Sequence, residues 1–104
     1  IECFLVPVLT DLESVWCCIC TGFKNLIIAV CYRPPSSPSN FCDSFHDCLN
    51  QITVRFPGAT IILLGDFNFP DIYWSDTYQC SMATSSESTE FLSICNDFGL
   101  SQLV

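Results

Sequence analysis

Positive charge is what this chain has least of. Only Lys24, Arg33 and Arg55 stand against 11 acidic residues, for a formal charge of −8. A protein that grips nucleic acid unaided needs a basic face, because counterion release from phosphates supplies much of the affinity. None is present here, so such binding would need metal ions or further segments to supply the charge. Histidine is almost missing as well, and the single His46 lies far from a zinc-like cysteine spacing. No N-x-[ST] acceptor occurs, and the apolar stretch Ile1 to Leu9 lacks the basic flank and cleavage site of a signal peptide. No apolar run reaches the roughly 18 residues that would span a bilayer.

Hydrophobic residues make up 50% of the 104, which fits one compact unit and excludes a disordered tail. A domain of this size buries roughly two thirds of the surface its unfolded chain exposes. The apolar beginning at Ile1 and ending at Val104 read as cuts through structure, so a fragment is expected. Nine cysteines are many. They sit among Val, Ile and Phe, where cysteine acts as a small hydrophobe, and not in the polar loops that disulfide staples favour. Reduced, buried thiols are therefore expected, in an intracellular compartment, nuclear or cytoplasmic.

Val15 to Cys20 and Leu26 to Tyr32 are β-rich runs whose short Gly-containing link predicts an antiparallel hairpin. Both are apolar on alternate positions of either parity, as in a sheet covered on each side. Cys3 to Val8 fits a preceding edge strand, where Pro7 is allowed. Arg33 to Asn40 carries three prolines and cannot be helical. From Phe41 the period changes: Phe41, Phe45, Cys48, Leu49, Ile52 and Phe56 make one helical stripe, which Pro57-Gly58 ends. His46 lies beside that stripe and is read as a partly solvated helix residue. Thr60 to Leu64 is expected to be a buried strand. Phe67 to Ser86 is a long loop with aromatic content, Ser88 to Phe98 an amphipathic helix capped by Gly99, and Leu100 to Val104 the start of another strand.

Most informative is Ile61-Ile62-Leu63-Leu64-Gly65-Asp66-Phe67-Asn68. Four apolar residues run into Gly-Asp-x-Asn, with Pro70 just beyond. Gly65 permits close approach of a backbone or ligand, and the strand end would hold Asp66 and Asn68 rigidly. A carboxylate and a carboxamide there suit positioning a metal, a water or a phosphate oxygen. The same residues also make an ordinary turn, and the octet alone does not separate the two readings.

The order of motifs narrows this. Glu13-Ser14-Val15-Trp16, Tyr32-Arg33-Pro34-Pro35, Gly65-Asp66-Phe67-Asn68-x-Pro70-Asp71-Ile72-x-Trp74 and Asp97-Phe98-Gly99-Leu100-x-Gln102-Leu103-Val104 follow one another across nearly the whole chain. Together they resemble the endonuclease/exonuclease/phosphatase superfamily, and most closely the apurinic-type endonuclease domain of non-LTR (LINE-like) retrotransposons. The resemblance implies an α/β (α+β) fold, here a partial four-layer α/β sandwich in which two sheets pack face to face. It implies metal-dependent phosphodiester hydrolysis, nicking DNA so that reverse transcription can start, with a reverse transcriptase in the same polypeptide. By motif, Asp66 would orient or deprotonate the attacking water, Asn68 would hydrogen-bond that water or the phosphate, and Tyr32 would contact the phosphate. Mg²⁺ or Mn²⁺ is the implied cofactor and DNA the partner, with no membrane.

The family's metal-binding glutamate would lie before Ile1, and its Ser-Asp-His motif beyond Val104. Residues 1–104 are thus expected to be a central piece of the domain, inactive alone; a non-catalytic remnant or interaction domain on the same scaffold is the alternative. Beside these roles stand plainer ones. Tyr32 also suits a strand-end aromatic, Asp71 a turn or helix-cap carboxylate, and Trp16 and Trp74 core positions. Arg33 suits either a phosphate contact or a solvated strand end.

Overall fold

A computed structural model describes residues 1–35, 40–72 and 85–103. They fall into two compact units, Ile1–Phe67 and Asn68–Val104.

The first unit is a mixed four-stranded sheet in the order β1-β2-β3-β4, with one helix. Strands β1 (Glu2–Leu5), β2 (Glu13–Cys20) and β3 (Asn25–Tyr32) are successively antiparallel. The β2–β3 turn is closed by Thr21, whose N–H and hydroxyl both donate to the Lys24 carbonyl. Helix α1 (Phe41–Arg55) then crosses over to β4 (Thr60–Asp66), which pairs with β3 in parallel. The hairpin and the strand–helix–strand unit thus form as expected. Strand β1 is the expected edge, although it ends at Leu5, before Pro7.

The helical stripe explains the core. Phe41, Cys42, Phe45, Cys48, Leu49 and Ile52 are all buried on α1. They share that burial with Trp16 and Cys18 of β2 and with Ile27, Ala29 and Cys31 of β3. Removing one side chain the size of Phe45 from water is worth about 2–3 kcal/mol. Trp16 is core as expected, its indole N–H donating to Ser14 Oγ at 3.0 Å. His46 is exposed and lies 3.1 Å from Asn50 one turn on, the role of a solvated helix residue.

The opposite sheet face differs from expectation. Residues of the other parity are open: Val15 is 58% exposed, Val30 52% and Leu64 52%. Strand β4 is consequently not the buried strand its apolar run suggested. Among the described residues it is an outer strand with β3 as its neighbour, and Ile62 and Leu64 face the open side. An unbroken apolar run fits two-sided burial, but topology put this one at an edge.

In the second unit, α2 (Ser86–Asp97) buries Ser88, Phe91 and Ile94. Phe69 packs on Phe91 with ring centroids 4.7 Å apart. Gly99 ends the helix as expected: its φ is +69°, its N–H donates to Asn96 O, and that of Leu100 donates to Cys95 O at 2.7 Å. These two bonds form a Schellman motif. Residues 100–103 form no strand, contrary to the reading of Leu100 to Val104. Tyr73, Trp74 and Cys80 lie outside the described residues. This α+β arrangement, a mixed sheet with two helices, is the fold class expected of such a fragment. Among the described residues no helix is long and apolar enough to cross a membrane.

Candidate active site

Strand register decides which candidate residues meet. In the parallel β3–β4 pair, Leu26 aligns with Thr60 and each following residue with its counterpart, ending at Tyr32 opposite Asp66. Register partners on neighbouring strands project from the same sheet face, because side chains alternate with period two on every strand. Tyr32 and Asp66 therefore stand side by side, at adjacent strand ends, on the open face. Both are exposed. Neighbouring strands lie about 4.8 Å apart, so phenol and carboxylate are within reach of one small group above them.

Two features hold Asp66 there. Gly65 aligns with Cys31 and has a φ of +138°. A Cβ at this position would run into the Cys31 carbonyl oxygen and lie 2.8 Å from its carbon. The close approach that this glycine permits is thus that of its neighbour strand's backbone. On the other side of Asp66, the Phe67 ring meets Phe45 edge-on at 5.8 Å and Phe41 at 6.3 Å. The ladder continues past the pair, with Arg33 N–H donating to Asp66 O at 2.9 Å.

Arg33 has a structural task. Its guanidinium lies 5.5 Å from the Phe41 ring centroid, and Nη1 donates to Phe67 O at 3.4 Å. It ties the two strand ends to the helix rather than standing solvated beyond them. Arg55 likewise donates to Pro7 O at 2.8 Å, and Lys24 sits in the turn at the other end of the sheet. A shallow hollow of about 360 Å³ lies at that far end, lined by Phe23, Lys24 and Pro57 among others. It contains none of the candidate residues.

Asn68 belongs to the second unit, two residues along the chain from Asp66. Its φ is +51°, a left-handed conformation that asparagine tolerates better than most residues. Asp71 is a helix-end carboxylate, as its plainer reading had it. It accepts from Ser85 N–H at 3.0 Å and from Ser88 Oγ at 2.6 Å, at the N-terminus of α2. Ser85 also caps the helix by accepting from Ser88 N–H.

The structure adds Glu13, which lies directly opposite Tyr32 on β2. One row across three strands therefore reads Glu13, Tyr32, Asp66. Hairpin arithmetic held the signal: counting back from the Cys20–Asn25 closure pairs positions 13 and 32. Glu13 and Asp66 are two strand spacings apart, about 10 Å. Among the described residues no group of three or more His, Cys, Asp or Glu is arranged to hold a metal ion. They do not by themselves fit the six oxygen ligands that Mg²⁺ requires.

Tyr32 and Asp66 are thus register neighbours at adjacent strand ends. Residues 26–104 match the family model described as endonuclease-reverse transcriptase. The chain belongs to that family. Its description points to an endonuclease domain of a retroelement, in a protein that also carries a reverse transcriptase. The match includes Tyr32, Asp66 and Asn68 and begins after Glu13. No curated protein and no solved structure matches the chain significantly.

Proposed function

We propose that this chain contributes part of a phosphodiester-hydrolysing site that nicks DNA, with Asp66, Tyr32 and Asn68 as its catalytic residues. Hydrolysis needs a carboxylate within hydrogen-bond reach of the attacking water and donors aimed at the phosphoryl oxygens. Asp66 is the carboxylate, taking the proton of the water as its oxygen attacks phosphorus; the P–O bond to one bridging sugar oxygen breaks, and that oxygen leaves as a hydroxyl after taking a proton from solvent. The Tyr32 hydroxyl donates to a non-bridging phosphate oxygen, and the Asn68 amide orients the water or phosphate. The observation that carries this reading is the Tyr32–Asp66 register on the open face.

Divalent-metal dependence, with Mg²⁺ or Mn²⁺, belongs to the same proposal, and further segments of the domain would have to supply most of the ion's oxygen ligands. DNA must then be gripped mainly by other parts of the parent protein. Here two of the three cations donate to backbone carbonyls and the third lies at the far end of the sheet.

The test is nicking of supercoiled plasmid by a protein containing this chain together with its flanking catalytic segments, with and without chelator. Asp66→Ala should lower the rate by at least about 10²-fold, the low end for removing a general base. Tyr32→Phe should lower it less, with the sheet's circular dichroism unchanged. A wild-type rate in Asp66→Ala removes Asp66 from the mechanism. No nicking by the unsubstituted protein favours the non-catalytic interaction domain.

A further inference from the structure

Strand alternation divides the cysteines of the hairpin. Cys18 and Cys20 face α1, whereas Cys17 lies on the open face beside Cys3 of β1. Although Cys17 and Cys20 have C-x-x-C spacing, they point to opposite sides of the sheet. The pair that meets is Cys3 and Cys17, diagonal neighbours across β1 and β2 whose Sγ atoms are 3.2 Å apart. A disulfide needs about 2.05 Å, so roughly one further ångström of approach would close it. Strand β1 can supply that movement: it is an edge of four residues, all exposed, with no core side chain to displace.

We propose that Cys3 and Cys17 form a dithiol oxidation site, which a low-molecular-weight disulfide of the glutathione class converts to a cross-strand disulfide. The exposed Cys3 thiolate attacks one sulfur of the small disulfide, whose S–S bond breaks and releases one small thiolate. Cys17 thiolate then attacks Sγ of Cys3 in the mixed disulfide and expels the second. The dithiol loses two electrons and two protons, and the small disulfide gains both as two thiols. The hydrogen bond with Cys3 is the main influence holding the Cys17 thiol above its ordinary range, which favours first reaction at Cys3.

The neighbouring contact, Cys18 with Cys20 at 3.7 Å, serves as an internal control. Cys18 is fully buried beneath the helix, out of an oxidant's reach.

The experiment incubates the 104-residue chain with glutathione disulfide, blocks the remaining thiols and digests after acidic residues. Asp11 and Glu13 separate Cys3 from Cys17, so a bond between them appears as two linked peptides, and fragmentation of the 14–43 peptide, which also holds Cys18, Cys20, Cys31 and Cys42, assigns the bonded sulfur. We expect two of the nine thiols to disappear without added glutathione mass, the linked pair to contain Cys3 and Cys17, and reductant to restore both. Cys3→Ser should abolish the loss, while Cys17→Ser should leave Cys3 as a stable mixed disulfide. Persistence of the Cys3 mixed disulfide in the unsubstituted chain overturns the proposal. Linkage at Cys18 or Cys20 instead, or links between chains instead of within one, does the same.

Discussion

Replacing Gly65 with alanine tests what brings Asp66 alongside Tyr32. The added methyl would collide with the Cys31 carbonyl oxygen and sit 2.8 Å from its carbon and 3.0 Å from its nitrogen. All three are backbone atoms of the adjacent strand, so no change of rotamer relieves the overlap. The φ of +138° is also costly for an L-residue, at about 1–3 kcal/mol. If the end of β4 moves away from β3 instead, roughly two ladder hydrogen bonds are lost, at about 1 kcal/mol each net. Together these give a destabilisation of about 3–5 kcal/mol, a large share of the about 5–15 kcal/mol of an ordinary domain. With a urea slope of about 1–3 kcal/mol/M, the unfolding midpoint should fall by roughly 2 M, followed by circular dichroism. If the damage stays local, the amide of Arg33 reports it, since its N–H donates to Asp66 O. Its exchange should quicken by about 10²-fold, tenfold for each 1.4 kcal/mol. An alanine variant with an unchanged midpoint and unchanged protection at Arg33 would refute the close-approach explanation.

Two further predictions concern stability. Ser88→Ala deletes the hydroxyl that links Ser85 and Asp71 at 2.7 and 2.6 Å, and should cost about 1.5–3 kcal/mol, the range for a bond to a charged group. Faster amide exchange in the first turn of α2 would register it, whereas unchanged exchange would show that Asp71 caps the helix without Ser88. The second concerns alkaline pH. Burial pushes the Cys31 thiol from 9.0 to about 12 and the Cys95 thiol to about 11. The unfolded chain therefore releases these protons first, so stability is intact below pH 9, falls as pH rises towards 11–12 and then levels off. Urea midpoints measured across that window should show the fall, and Cys31→Ala should make it shallower; equal slopes in the two proteins would contradict the assignment.

Local periodicity alone determined much of this protein. The stripe from Phe41 to Ile52 could only be a helix against a core, and the short Gly-containing link had to close a hairpin. Gly99 had to be a cap. Such features depend on residues a few positions apart, which a linear reading sees directly. The motif order likewise singled out Tyr32, Asp66 and Asn68 before any geometry was known. Tertiary structure decided the rest, because it depends on pairings between strands far apart in sequence. An apolar run cannot say whether its strand is central or outer, and β4 proved outer. Nor can it say which thiol faces which, that Asp66 joins the row of Glu13 and Tyr32, or that Gly65 yields to the backbone of Cys31. Register settles all of these, since sliding a strand by one residue turns every side chain to the other face.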